Sequence, residues 1–488
     1  MREPGMKSFW RWMFLLGVVL MLLRGLNIAY VLHCSQRDGI EYYDGPDTFS
    51  YIGNAEAMFD ERPMSPLFRE RVLYPFLLAA VKALGLEYRQ LLWLTVPLEV
   101  PAVLAMALMG LAVARRKGVA ALGALIYALN PNGYQLSTVL MADWFNAQLM
   151  LMGLALAVHW AVNGHRPSGW GACLLLPLSQ MTRPTLFPIV VPVALLLGRT
   201  FLMRDRRRTS LALCAALLVY PAINFAINAT LYGVPSLLLT PGFMLRHGPV
   251  SYIRAVERNA EHPDSMTRLY FDEKHNVAYA DPREMALEPY GHRPIPPDFA
   301  VLYRELLREA NEFLHAHPRL WFQVSLAGID RQLFYAPFLH PLPKAAHLYP
   351  DTDGAMRKLH SLALFFAVCG AMLTIRRLPP EVALFYAACT AMITMASTAA
   401  WHDSVRVRAL IDLLYTPILA VGLLSVPAWI GFVSLSMVAY VPRKLFQWPQ
   451  AYLVAASTVA TTLTALVLLR RSGPEKRISP AADASGSK

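Results

Sequence analysis

The sequence predicts an all-α polytopic membrane protein with about twelve transmembrane helices. Of its 488 residues, 56% are apolar and only 16% are charged, a balance that is too apolar for a water-soluble globular domain. The apolar residues fall into runs of spanning length, and short clusters of basic residues lie at the ends of these runs. Both observations indicate helices that cross a bilayer.

The apolar runs define the individual elements. They lie at about 12–32, 91–114, 118–138, 142–162, 168–182, 185–203, 209–231, 359–375, 381–400, 409–426, 428–441 and 451–469. The first run has no small-residue cleavage site, so we expect an uncleaved helix whose basic flank holds the N-terminus in the cytoplasm. The net charge of +12 is assigned to this flanking pattern and not to nucleic-acid binding.

The orientation of the spans depends on whether one short apolar run, at 72–86, is counted as a span. Arg115, Arg116 and Lys117 fall on the same side as the other basic loops if the spans alternate from a cytoplasmic start. That agreement requires the run at 72–86, which carries Lys82, to lie on the outer leaflet as an interfacial helix.

Six regions follow from this pattern. They are a first transmembrane helix (1–32), an extracytoplasmic loop with interfacial helices (33–90), a transmembrane bundle (91–231), a second extracytoplasmic region with amphipathic helices (232–358), C-terminal transmembrane helices (359–470) and a disordered cytoplasmic tail (471–488). Within the second extracytoplasmic region, residues 298–317 place apolar side chains at helical spacing.

Charged side chains of both signs are predicted on the outer face. The loop at 43–75 is polar and rich in carboxylates, which a membrane protein has little reason to keep unless something is bound or processed there. The other outer elements are the turns at Asp143 and at Arg183, and the segment WHDSVRVR that begins at Trp401. Carboxylates can accept a proton and arginines can bind phosphate, so this face offers both halves of a transfer reaction on an anionic lipid donor.

These residues resemble the membrane-embedded GT-C glycosyltransferases, and within them the protein-mannosyltransferase and aminoarabinose-transferase branch. The resemblance rests on Asp47 with Tyr51 and Ala55, Val72-Leu73-Tyr74-Pro75, Asn130-Pro131 with Asp143, Arg183-Pro184, NEFLHAHPRLWF from Asn311, and RVRALIDLLYTP from Arg406. Where the mannosyltransferases have an aspartate followed by a glutamate, this chain has Asp47-Thr48, which weakens the case for a protein acceptor.

The resemblance implies a GT-C-like bundle and an inverting transfer of a sugar. The donor would be a polyprenyl-phosphate-linked sugar, and the acceptor a lipid, glycan or protein at the extracytoplasmic face. We therefore expect a multi-pass protein of the bacterial inner membrane. A divalent cation, Mg²⁺ or Mn²⁺, is a possible cofactor, with Asp47 and Asp143 as its ligands.

The resemblance also implies roles for the carboxylates. Asp47 matches the catalytic base, and Asp44 is the runner-up. The alternative for Asp47 is an N-cap of the helix that begins near Phe49, and for Asp44 a turn former. Asp143 resembles a second acidic position that orients the acceptor or holds a cation, and its alternative is a helix cap.

Five arginines are candidates for the donor phosphate. Arg406 and Arg408 are predicted on the outer side, although basic residues prefer the cytoplasmic side of a membrane protein. Binding of a lipid phosphate would explain this placement, and so would pairing with Asp403. The others are Arg69, Arg71 and Arg183, and the side chains expected to contact substrate are Tyr51, Tyr74 and His402.

The competing function is a transporter or flippase of a lipid-linked or anionic solute. It predicts charges deep inside the spans and two similar halves, and the sequence has no internal repeat. One charge does lie inside the first span: Arg24 is expected either to snorkel to the surface or to pair with a carboxylate in the bundle.

Overall fold

A computed structural model of the chain describes most of the N-terminal half and parts of the C-terminal half. The described residues are 5–45, 47–60, 64, 70–184, 187–203, 205–237, 239, 250, 253, 298–322, 363, 366–374, 382–389, 404–425 and 428–429. Among them 83% are helical and none is in a strand, so the predicted all-α class is confirmed.

The helices follow the apolar runs of the sequence. In chain order they are α1 (Met6–Asp38), α2 (Thr48–Phe59), α3 (Leu73–Ala83), α4 (Glu99–Ala114), α5 (Lys117–Ala128), α6 (Pro131–Leu136), α7 (Ala142–Asn163), α8 (Arg166–Thr182), α9 (Phe187–Phe201), α10 (Arg207–Leu231), α11 (Phe299–Ala316) and α12 (Ser404–Leu423). A 3₁₀ helix, Tyr88–Thr95, leads into α4.

Among the described residues, four stretches are long and apolar enough to cross a membrane. They are Met6–Asp38, Tyr88–Ala114, Ala142–Asn163 and Arg207–Leu231. About 20 apolar residues span the hydrocarbon core of a bilayer, and each of these stretches exceeds that length. The chain is therefore a membrane protein by the length and composition of its helices, while the predicted total of about twelve spans stays a prediction.

Helix α7 is the centre of the bundle. Of its most apolar stretch of 18 residues, 83% are buried inside the protein. The corresponding stretches of α1 and α10 are each 28% buried, and many large apolar side chains of these two helices are exposed. It packs against α8 and α4, while α4 in turn packs against α1 and α5. Small residues allow the closest approaches: a Cβ on Gly110 of α4 would lie 2.7 Å from Cα of Ala120 on α5.

The predicted span at 118–138 is wrong in one respect. Helix α5 ends at Ala128, and a separate short helix, α6, begins at Pro131. Proline has no N–H to continue the helical ladder, and the side chain of Asn130 instead accepts a hydrogen bond from the N–H of Asn132 at 2.9 Å. The chain therefore turns here, and the connection 137–141 follows as turns and bends before α7 begins.

Helix α3 occupies the segment that the sequence assigns to the outer interface. It has 11 residues, Leu73–Ala83, which at about 1.5 Å per residue is too short to cross a bilayer. It contacts α2, the 3₁₀ helix and α8. Lys82 near its end lies 3.5 Å from Glu56 of α2, so the two loop helices are joined at their exposed side.

Helix α11 is the amphipathic helix predicted at 298–317. Its apolar face carries Phe299, Tyr303 and Leu306, which pack on Tyr232 and Val234 just after α10. Its opposite face is charged and exposed, with an ion pair between Arg308 and Glu312 at 3.0 Å. The apolar face of this helix therefore lies against the chain that follows α10.

The described residues belong to two compact units. The first comprises Met1–Ser361 and Leu378–Pro417, and the second Leu362–Arg377 and Ile418–Lys488. In the second unit, Phe366, Cys369 and Ala428 form a small apolar cluster. The predicted run at 451–469 and the tail at 471–488 lie outside the described residues, as does most of the run at 428–441.

The close contact between α4 and α5 gives a test of this packing. Substitution Gly110→Ala puts a methyl group against Ala120, so we expect it to lower the free energy of unfolding by about 1–3 kcal/mol. Gly198→Ala on α9 is the matched control, because a Cβ there meets nothing within 4 Å. Thermal unfolding in detergent should separate the two variants. Equal melting temperatures would show that α4 and α5 are not packed this closely.

Candidate functional site

Asp47 stands at the start of α2 but does not cap it. It occupies the N-cap position, yet its side chain makes no capping hydrogen bond. Oδ2 of Asp47 instead accepts a hydrogen bond from Nη1 of Arg71 at 2.9 Å. The side chain of Arg71 is only 8% exposed and that of Asp47 is 19% exposed, so this pair is largely withdrawn from water. The capping interpretation of Asp47 therefore does not account for where its carboxylate points.

Two tyrosines connect this pair to the bundle. Nη1 of Arg71 also donates to the hydroxyl of Tyr51 at 3.2 Å, and the ring of Tyr51 meets Tyr74 edge-on with 5.0 Å between centroids. The ring of Tyr74 lies 6.4 Å from that of Phe145 in the first turns of α7. Both tyrosines are buried, and burial raises the pKa of the Tyr74 hydroxyl well above its usual value.

Asp143 and Arg183 form the second pair of opposite charges. Asp143 lies in the first turn of α7, where the helix dipole favours a negative charge, and Met141 holds the N-cap position. Arg183 follows α8 in an extended conformation, and its Nη1 forms an ion pair with Oδ1 of Asp143. Both side chains are buried: that of Arg183 is 8% exposed and that of Asp143 is 3% exposed. One turn deeper, Ser179 donates to Asn146 at 2.7 Å, which holds the same two helices together.

Hydrogen bonds between two loops place the aspartates at one end of the first unit. The N–H of Leu140 donates to the carbonyl of Tyr43 at 2.8 Å, and the hydroxyl of Thr48 donates to the carbonyl of Leu140 at 3.0 Å. Gly45 lies in this contact, since a Cβ there would be 2.5 Å from the sulfur of Met141. The loop that carries Asp47 therefore rests directly on the connection that leads into Asp143.

Asp44 lies inside the same contact. It is buried, and its backbone N–H donates to the carbonyl of Glu41 at 3.1 Å in a tight turn. Burial, together with the charges of Glu41 and Asp44, raises the pKa of the neighbouring Tyr43 to about 12. The turn-forming interpretation of Asp44 agrees with this geometry.

An apolar groove opens next to the Asp47–Arg71 pair. It encloses about 260 Å³ between α8, α10 and the residue that follows Arg71. The residues that line it are Val72, Pro177, Met181, Ala216, Val219, Tyr220, Ile223 and Asn224. Pro177 and Pro221 interrupt the ladders of α8 and α10 at this level. Two of the lining residues are neighbours of the arginines in the chain: Val72 directly follows Arg71, and Met181 precedes Arg183 by two residues.

Two buried carboxylates belong to the surroundings of the site. Glu99 of α4 lies 3.5 Å from Nε of Arg24 on α1, which decides between the two expectations for that arginine in favour of pairing. Glu70, directly before Arg71, accepts a hydrogen bond from the N–H of Leu239. Sequence reasoning assigned no role to either carboxylate, although Glu70 belongs to the carboxylate-rich loop. For Glu99 the signal was a charge inside an apolar run, where a charge is costly and needs a partner.

Glu70 connects the chain after α10 to the loop that carries Asp47. Leu239 gives its N–H to Glu70, and its carbonyl accepts from the hydroxyl of Tyr303 on α11 at 3.1 Å. Burial and the nearby charge of Glu70 raise the pKa of the Tyr303 hydroxyl, so it stays a donor at neutral pH. Helix α11 is thereby coupled through one loop residue to the backbone that carries Arg71.

The side chains of the remaining predicted residues lie outside what the structure describes. Arg69 and His402 lie outside the described residues, and so does Asp403. Arg406 and Arg408 lie on α12, of which the structure describes the backbone but not these side chains. Further along α12, Asp412 accepts a hydrogen bond from Asn132 of α6 at 3.4 Å. The roles of Arg69, His402, Arg406 and Arg408 as substrate ligands stay predictions.

The donor set does not favour a cation at the two aspartates. Asp47 and Asp143 each face a guanidinium, which stands beside the carboxylate where a divalent ion would bind. Within the described part of the chain, no three His, Cys, Asp or Glu side chains come together as metal ligands. A divalent cation held by Asp47 and Asp143 stays a prediction.

Comparisons with known proteins add no relative. No family model matches this chain, and a search of curated proteins finds no match.

The Asp143–Arg183 pair gives a test of the site's energetics. Arg183→Gln leaves a carboxylate buried without its counter-charge, so we expect it to lower the free energy of unfolding by about 3–5 kcal/mol. The double variant with Asp143→Asn should be less unstable than Arg183→Gln alone, because no charge is left behind. Reversible unfolding in mixed micelles measures this double-mutant cycle.

The control is the exposed pair Arg308 and Glu312, whose side chains are 63% and 62% exposed. Its coupling energy should be about 0.3–0.5 kcal/mol. A coupling energy for Asp143 and Arg183 as small as that of the control would mean that the buried ion pair does not form.

Proposed function

We propose that this chain is an inverting glycosyltransferase that moves a sugar from a polyprenyl-phosphate donor to an acceptor at the extracytoplasmic face. The observation that carries the proposal is the pairing of Asp47 with Arg71 beside an apolar groove, at the same end of the first unit as Asp143 and Arg183. A carboxylate, a guanidinium and a channel for an apolar chain are what a lipid-phosphate sugar requires of a protein.

The chemistry assigns one task to each charge. The acceptor hydroxyl oxygen attacks the anomeric carbon, and its proton passes to the carboxylate of Asp47 as general base. The bond between the anomeric carbon and the phosphate oxygen breaks, and its electron pair leaves with the lipid phosphate. Arg71 and Arg183 stabilise the charge that gathers on that phosphate. A phosphate leaves readily without being protonated, so no general acid is needed.

Arg71 connects the two halves of this reaction. A guanidinium carries five N–H donors, so it can hold a carboxylate and a phosphate at the same time. In the structure Nη1 of Arg71 reaches both Asp47 and Tyr51. A donor phosphate that binds Arg71 would weaken the ion pair between Arg71 and Asp47. The carboxylate of Asp47 would then be more basic when the donor is bound.

The groove supports a lipid-linked donor over a soluble nucleotide sugar. Its walls are Val72, Pro177 and Met181 together with apolar residues of α10, and it opens between helices that face the bilayer. A nucleotide would need several polar partners for its base and ribose, whereas Tyr220 and Asn224 are the two polar residues among the eight that line this groove. A polyprenyl chain needs only apolar contact.

The remaining features of the proposal follow the resemblance to the GT-C glycosyltransferases. We propose a bundle of about twelve spans in the bacterial inner membrane with a cytoplasmic N-terminus. Asp143 orients the acceptor, and Arg406, Arg408 and His402 complete the donor site from α12 and the segment before it. A lipid or glycan acceptor is favoured over a protein because Thr48 stands where a second acidic residue would follow Asp47.

One observation bears on the transporter alternative, which predicts charges inside the spans: the charged pair Arg24 and Glu99 lies inside the bundle. A transporter site has to be reached by solute and to release it. Arg24 and Glu99 are both 0% exposed, and Glu99 accepts further hydrogen bonds from Tyr127 and Trp144. This pair is closed off from any solute, so it supports a structural task better than a transport task.

Substitution Asp47→Asn tests the general base. The amide keeps the shape of the side chain but cannot accept the acceptor's proton, so we expect turnover to fall by about 10²–10⁴-fold. Binding of the donor should persist because the groove and Arg183 are unchanged. Membranes incubated with labelled polyprenyl-phosphate sugars, followed by identification of the labelled product, give the measurement.

Asp60→Asn is the matched control, because Asp60 ends the same helix and is exposed. The Asp60→Asn variant should transfer sugar at the wild-type rate. Wild-type membranes that label nothing from any polyprenyl-phosphate sugar would contradict the proposed function, and an unchanged rate in Asp47→Asn would contradict the assignment of the base.

Filling the groove tests the lipid-linked donor. Ala216→Phe adds a ring to a wall of the groove, so we expect the KM for a long-chain donor to rise by about tenfold or more, since the chain loses its apolar contacts. Leu218→Phe on the same helix is the control, because Leu218 is 59% exposed on the outer face. Steady-state kinetics with long and short carriers measures the effect, and equal KM values for both variants would place the donor elsewhere.

A further inference from the structure

A closed network of hydrogen bonds surrounds Glu99 in the middle of the bundle. Oε1 accepts from the indole N–H of Trp144 at 2.8 Å, and Oε2 accepts from the hydroxyl of Tyr127 at 2.8 Å. The rings of these two donors stack on each other, 5.9 Å apart at 17°. Nε of Arg24 lies 3.5 Å from Oε1 and supplies the opposite charge. Both carboxylate oxygens of Glu99 are thus directed at specific partners.

The network reaches Asp143 through the backbone of α7. Trp144 is the next residue along the helix, so its indole fixes the rotation of the first turn that presents Asp143 to Arg183. Gln148, one turn further, donates to the carbonyl of Thr95 at 3.0 Å, four residues before Glu99. Two side chains on one face of α7 are therefore anchored to the same stretch of chain around α4.

The network also holds the connection that precedes Asp143. The guanidinium of Arg24 lies 3.6 Å above the ring of Tyr134, and Asn27 on the same face of α1 donates to the carbonyl of Tyr134 at 2.8 Å. Gly133 is required beside them, since a Cβ there would be 2.6 Å from the ring of Trp144. Helix α6 is thereby fixed against α1, and the backbone after it reaches Tyr43 and Thr48 in the loop of Asp47.

We propose that Glu99 is a positioning residue for Asp143, acting through the indole of Trp144. A buried ion pair contributes little net stability compared with apolar residues of the same volume, so a bundle that needed only stability would not require it. Glu99 does what an apolar side chain cannot: it gives the first turn of α7 one preferred rotation. The consequence for turnover rests on the proposed function, whereas the consequence for the position of Asp143 does not.

The test uses Trp144→Phe in the full-length chain in detergent. This substitution removes the indole N–H and keeps the Arg24–Glu99 pair, so the protein keeps its buried charges balanced. Without its anchor the first turn of α7 loosens, and we expect modification of Asp143 by a water-soluble carbodiimide and glycine ethyl ester to rise about tenfold. Mass spectrometry of the peptide that contains Asp143 measures the rate.

Trp160→Phe is the matched control. Trp160 is equally buried in the same helix, but it lies about 25 Å from Asp143 along the axis. Its substitution removes a buried indole without touching Glu99, so the modification rate of Asp143 should stay within about twofold of wild type. An unchanged rate in Trp144→Phe, or an equal rise in Trp160→Phe, would overturn the proposal.

Glu99→Gln provides a second variant with the same shape. Its amide cannot accept from both Trp144 and Tyr127 while facing Arg24, so modification of Asp143 should rise here too. With the labelled donor, kcat of Trp144→Phe should fall about 10–100-fold while KM changes less than about threefold, because Asp143 is misplaced and the donor groove is intact.

The two readouts separate the two proposals. If wild-type protein transfers no sugar, the proposed function fails and the modification rates still decide the positioning role of Glu99. If transfer occurs but KM rises with kcat unchanged in Trp144→Phe, the positioning role is overturned while the function stands.

Discussion

A charge that leaves water must find an opposite charge, and this constraint decides where three arginines of the chain lie. Arg24 pairs with Glu99, Arg71 with Asp47, and Arg183 with Asp143. An isolated charge at such depth costs several kcal/mol, so removing either member of a pair destabilises the fold more than removing both. Each pair consequently acts as a point at which two separate segments must meet.

A chain of contacts leads from the pair in the middle of the bundle to the two pairs at its polar end. Glu99 anchors Trp144, and through it the helix that carries Asp143. The connection before that helix then supports the loop of Asp47 by backbone hydrogen bonds at Leu140. The geometry of the exposed end therefore depends on side chains buried in the middle of the bundle, which is why substitutions far from the carboxylates are informative about them.

The sequence predicted the elements better than their contacts. Apolar runs located α7 and α10 almost to the residue, because burial in lipid or in a bundle requires an uninterrupted run. The break at Asn130-Pro131 was visible in the sequence, but run length alone passed over it. No spacing rule could pair Arg71 with Asp47 or Glu70 with Leu239, since those contacts depend on how distant segments fold back. The capping alternative for Asp47 was reasonable locally and was overridden by the tertiary contact with Arg71.

The pairing of each aspartate with an arginine also bears on how the proposed reaction would be ordered. A carboxylate held by a guanidinium is a weaker base than a free one, so Asp47 in its resting contact is poorly suited to take a proton. A phosphate that enters beside Arg71 draws the guanidinium toward itself and raises the basicity of Asp47 at the moment when the sugar is in place. The resting ion pair would in this way keep Asp47 inactive as a base until the donor is bound.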